Sequence, residues 1–129
     1  MKYLFLSVIA SSLLLISCKN GSQEPFGKPD SSTTEAKTPV EKGKELFEGR
    51  GNCIACHLVD KKVIGPSIQD IAHIYKKNNG DIVSFLKEES KPIVDPAQYE
   101  VMKTNFAITK GMTDEELHSL EAYIYSLEK

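Results

Sequence analysis

The 129-residue sequence has no tryptophan, only three cysteines, and no marked excess of charge of either sign. Three cysteines cannot close into a disulfide framework. With 16 basic and 18 acidic residues, for a net charge of −2, no strongly basic surface can form, so nucleic acid is not an expected partner. Strand-type alternation of apolar and polar residues is not sustained anywhere. The one long apolar run lies at the start, from Tyr3 to Ile16, and is shorter than the roughly 20 residues a spanning helix needs. Hydrophobic residues make up 40% and charged residues 26%, which excludes both a chain disordered throughout and a polytopic membrane protein. The length suits one modest domain.

The three cysteines divide as one plus two. Lys2 precedes the apolar run, which ends in Leu15-Ile16-Ser17-Cys18. This resembles an export signal closing on the lipobox of bacterial lipoproteins. That resemblance implies a signal peptide over 1–17, cleavage before Cys18, and lipidation of Cys18. The protein is then expected to be exported and held by its lipid to a bacterial membrane, facing the periplasm. From Lys19 to Pro39 the composition turns to Gly, Ser, Thr, Pro, Lys and Glu, with Phe26 the only large apolar residue. Such a stretch cannot bury enough surface to offset its ordering entropy, so 18–39 reads as a lipidated cysteine and flexible tether reaching about 25 Å. The folded unit is 40–129.

Within that unit the periodicity is helical. Val40, Gly43 and Phe47 share a face, as do Ile68, Ile71, Ala72 and Tyr75. Asp81 is a candidate N-cap for 82–87, and Thr113 with Glu116 forms a capping box ahead of Leu117, Leu120, Ile124 and Leu127. An all-α domain of four or five short helices follows. About 90 residues with short helices make a marginal core, so a cofactor or metal is expected to complete it.

Residues 53–57 read Cys-Ile-Ala-Cys-His, the attachment pattern of c-type haem. Cys53 and Cys56, one turn apart, can each add to a vinyl group of the porphyrin, and His57 can present its imidazole to the iron. A zinc site would need a fourth ligand from His73, His118 or a carboxylate, none at a familiar spacing. A thioredoxin-like dithiol would need a βαβ context, and none is present. For the sixth iron ligand the candidates are Met102 and its rival Met112. Met112 precedes the Thr113 cap, where a hydrophobic staple to Leu117 already employs it. Met102 falls in a segment, 100–105, that reads as an irregular loop. His73 and His118 read as surface residues.

Together these residues resemble class I monohaem cytochrome c across essentially all of 40–129. Gly43 and Phe47 look like the small and aromatic pair of that family's first helix, with Leu120 and Tyr123 as their partners on the last. Gly65-Pro66 resembles the family turn whose proline carbonyl holds the proximal imidazole, which implies that role for Pro66. The segment 102–105 resembles the distal methionine loop, though Lys103 stands where many relatives have proline. With tryptophan missing, Arg50, Tyr75 and Tyr99 are candidates to bind a haem propionate.

The resemblance implies one covalently bound haem c with its iron, and no enzymatic activity. It implies a monomer passing single electrons between redox partners of a respiratory chain. Ile68, Ile71, Phe85, Ile93, Phe106 and Ile108 are the expected pocket wall, and Lys61, Lys62, Lys103 and Lys110 can ring the haem edge. The rival readings are a haem-based module that binds or senses a small ligand at a displaceable sixth position, and a zinc-stabilised interaction domain.

Overall fold

The computed structural model describes residues 36–129. The expected signal peptide, Cys18 and most of the tether lie outside the described residues. Among those described, regular structure is helical throughout, and no helix is long and apolar enough to cross a membrane.

Local chemistry accounts for most helix starts. Helix α1 (Pro39–Glu48) begins on Thr38, whose backbone N–H donates to the Glu41 carboxylate at 2.8 Å while its hydroxyl accepts from the Glu41 N–H. Proline at the first helical position loses no hydrogen bond there and is preset in φ. Helix α2 (Ile68–Lys77) starts on Ser67, whose hydroxyl accepts from the Asp70 N–H at 3.0 Å, and ends on Lys76 and Lys77, which complement its dipole. Asp81 caps the short α3 (Ile82–Leu86) through the Ser84 N–H at 2.8 Å. The capping box of Thr113 and Glu116 opens α5 (Asp114–Ser126).

Helix α4 (Tyr99–Thr109) corrects the sequence reading, because it occupies the segment expected to be a loop. It follows a 3₁₀ turn at Pro96–Gln98 and has no side-chain cap. Met102 therefore sits in the first turn of a helix.

Helix α5 is the hub, with α1, α2 and α3 all packed on it. At the α1–α5 crossing, a β-carbon added to Gly43 would lie 1.9 Å from the Ser119 carbonyl oxygen, so only glycine permits this approach. Phe47 and Tyr123 fill the crossing, with ring centroids 5.4 Å apart. Leu117 and Leu120 are fully buried beside them, each contributing about 1.5–3 kcal/mol by leaving water. On the far side, α4 meets α3 through Phe106 against Phe85, centroids 5.4 Å apart, and through the Thr109 hydroxyl, which donates to the Leu86 carbonyl at 2.6 Å.

Candidate functional site

Between α4 and the α2–α5 face lies an apolar cleft of about 1170 Å³, its open mouth included. One wall is built by the turn that leaves α1. Gly51 N–H bonds back to the Leu46 carbonyl at 2.7 Å, and Asn52 takes a left-handed conformation (φ 52°) that asparagine tolerates. The chain then enters a 3₁₀ turn at Cys53–Ala55, where the N–H groups of Cys56 and His57 both donate to the Cys53 carbonyl, at 3.1 and 3.0 Å. This turn brings Cys53, Cys56 and His57 together on the cleft wall.

The following loop folds back on the site. Gly65 N–H donates to the Cys56 carbonyl at 2.8 Å, and Ile68 N–H to the Leu58 carbonyl at 2.9 Å. Pro66 is thereby placed with its carbonyl oxygen 2.8 Å from His57 Nδ1. A carbonyl can only accept, so Nδ1 carries the proton and Nε2 keeps a free lone pair. Burial holds the His57 pKa below its ordinary value, and the Pro66 hydrogen bond offsets this in part. Burial also pushes the Cys53 thiol up to about 11, so it is a neutral thiol at neutral pH.

Met102 is half-buried and lines the cleft from α4. Its rival Met112 is buried in the main core and is not part of the cleft lining. His73 and His118 are exposed, the latter 3.2 Å from Glu121 through Nδ1. Of the expected pocket wall, Ile68, Ile71, Phe85 and Ile93 line the cleft. Phe106 and Ile108 do not line it. Phe106 packs behind Phe85 and Tyr99, and Ile108 packs against the core.

The expected lysine ring is largely engaged: Lys62 pairs with Asp95 at 2.7 Å, Lys110 with Glu88 at 2.8 Å, and Lys103 with Glu100 at 3.6 Å. Lys61 has no ion-pair partner among the described residues. Two contacts across the cleft carried no signal in the sequence. Asn105 Nδ2 donates to the Gly51 carbonyl at 3.2 Å, tying α4 to the loop before Cys53. The Lys62–Asp95 pair joins the loop after His57 to the segment before α4.

An apolar cleft with two thiols and an imidazole on one wall and a thioether on another fits haem c. This is the site of a small all-α, c-type haem protein. The chain belongs to the cytochrome c family, whose family model matches residues 40–128, and its fold is the small class I cytochrome c fold. Its cofactor is haem c with iron, covalently bound.

Over 49 residues the chain is 43% identical to cytochrome c-551 of Pseudomonas denitrificans, a match covering 38% of this chain and 57% of that protein. Over 42 residues it is 43% identical to cytochrome c-552 of Nitrosomonas europaea, covering 33% of this chain and 40% of that protein. The chain thus spans roughly half the length of these relatives.

Proposed function

We propose that this protein is a one-electron carrier with a single haem c, passing electrons between components of a respiratory chain, and is not an enzyme. The observation that carries this reading is the placement of Cys53, Cys56 and His57 on one wall of an apolar cleft that Met102 lines from another helix.

Haem c supplies an iron that accepts and gives up one electron. Cys53 and Cys56 hold the cofactor through two thioethers, which lets a small domain keep it without enclosing it. His57 offers Nε2 to the iron, because the Pro66 carbonyl holds the proton on Nδ1 and fixes the ring. Met102 would offer its thioether to the iron from α4. A histidine–methionine pair would favour a higher potential than two histidines. Ile68 and Ile71 exclude water from the buried face.

The N-terminal pattern ending at Cys18 supports export, lipidation and tethering at a bacterial membrane on the periplasmic side. Metabolic labelling with a radioactive fatty acid tests the anchor. Label is expected in the wild type and absent from Cys18→Ser, and equal labelling of both would refute it.

Mixing the reduced protein with CO at neutral pH tests the carrier reading. Slow or absent uptake is expected with an intact methionine–iron bond, whereas rapid uptake would favour a ligand-binding module.

A further inference from the structure

Asp95 is the one carboxylate among the residues that line the cleft, and its side chain is only 20% exposed. A carboxylate at the edge of an apolar cleft is costly unless a cation meets it. Here Lys62 Nζ stands 2.7 Å from Asp95 Oδ2. That ammonium holds the Asp95 carboxyl below the ordinary carboxylate range, so Asp95 carries its charge throughout the neutral range.

The two partners belong to opposite walls. Lys62 stands on the loop after His57, which Gly65 N–H pins to the Cys56 carbonyl and Ile68 N–H to the Leu58 carbonyl. Asp95 ends the irregular stretch 87–95 and leads through the 3₁₀ turn Pro96–Gln98 into α4, where Met102 lies in the first turn.

Helix α4 is held unevenly along its length. Its far end is fastened by Phe106 on Phe85, by the Thr109 hydroxyl on the Leu86 carbonyl and by Lys110 on Glu88. Asn105 fixes the middle through the Gly51 carbonyl. The end that carries Met102 has no side-chain cap, and Val101 beside it is 45% exposed. Tyr99 steadies that end through Phe85 and Phe106, with centroids 6.2 and 6.0 Å away. Among the described residues, Lys62–Asp95 is the one ion pair that joins this end to the wall carrying His57.

We propose that Lys62 and Asp95 are positioning residues whose ion pair clasps the two walls of the cleft and holds the Met102 end of α4 against the haem. The proposal rests on the haem and its two ligands as described under Proposed function. An outside ligand can replace the Met102 thioether only when that end of α4 opens locally, so the clasp sets how often the sixth position is exposed.

Stopped-flow binding of imidazole to the ferric protein reads that opening, at mildly alkaline pH where free imidazole is largely neutral. Lys62→Gln and Asp95→Asn are each expected to speed binding about two- to fivefold. The two substitutions change the local charge in opposite directions, so a gain in both isolates the loss of the pair. The double variant is expected to bind no faster than either single one. Glu88→Gln, which breaks the ion pair at the far end of α4, is expected to keep the wild-type rate.

Single variants that match the wild type, that move in opposite directions, or whose gains multiply in the double variant would overturn the clasp alone. So would an equal gain in Glu88→Gln. A wild type without covalent haem, or without the red band of methionine ligation, would instead overturn the reading on which the clasp rests.

Discussion

Gly65 lies against the imidazole of His57, so close that a β-carbon at position 65 would stand 2.4 Å from Cε1 and 2.7 Å from Nδ1. The reason for glycine here is space, since no glycine among the described residues has a positive φ. The next residue supplies the carbonyl that holds Nδ1. Gly65-Pro66 is thus a two-part seat for the ring. Gly65→Ala is expected to push the imidazole from that seat and to destabilise the holoprotein by about 1–3 kcal/mol in guanidinium unfolding. An unchanged midpoint would show that the ring has slack the geometry does not provide.

A second close approach tests the core. Gly43→Ala puts a methyl group into the Ser119 backbone, which cannot move without separating α1 from α5. A loss of at least about 2 kcal/mol is expected in thermal unfolding. Gly111→Ala serves as the control. Its β-carbon would meet only the Ile108 carbonyl, at 3.4 Å, and a change within about 0.5 kcal/mol is expected.

Helix α5 depends on its cap. Thr113→Ala removes the acceptor for the Glu116 N–H and is expected to cost about 1 kcal/mol in chemical denaturation. Ser at the same position keeps the hydroxyl and is expected to restore most of that loss.

Acid is expected to weaken the fold through the same caps. The Glu41 and Asp81 carboxylates are held below their ordinary values chiefly by the backbone N–H groups of Thr38 and Ser84, and Glu116 by Arg50 and then the Thr113 N–H. A carboxylate with a depressed folded-state pKa contributes stability above its unfolded pKa, and that contribution fades as pH falls through the folded value. Unfolding midpoints are therefore expected to be flat above about pH 5 and to drop below about pH 4. In Asp81→Asn and Glu116→Gln the decline should be shallower.

How much of this was legible in the sequence varied by element. Helices α1, α2, α3 and α5 each carry a capping residue or a stripe of apolar side chains facing one core, and these signals act locally. The Cys53–His57 motif and the Gly65-Pro66 turn were equally plain. Helix α4 was not, for two reasons. Gln98 offers no side-chain cap, and Val101, Thr104, Ile108 and Thr109 are β-branched residues of modest helix propensity. Its stripe of Tyr99, Met102, Phe106 and Thr109 does run at helical spacing, but Met102 faces a cofactor cleft and Thr109 spends its hydroxyl on Leu86. Neither looks like core from sequence alone. The Asn105–Gly51 and Lys62–Asp95 contacts join residues far apart in the chain and have no local signature.

The central claim is that His57 and Met102 together ligate the iron. The absorption spectrum of the ferric protein tests it most directly, compared among wild type, Met102→Ala and Met112→Leu. The weak red band of methionine-ligated ferric haem is expected in the wild type and in Met112→Leu, and is expected to vanish in Met102→Ala while covalent haem remains. A Met102→Ala protein that keeps the band, with Met112→Leu losing it, would contradict the account.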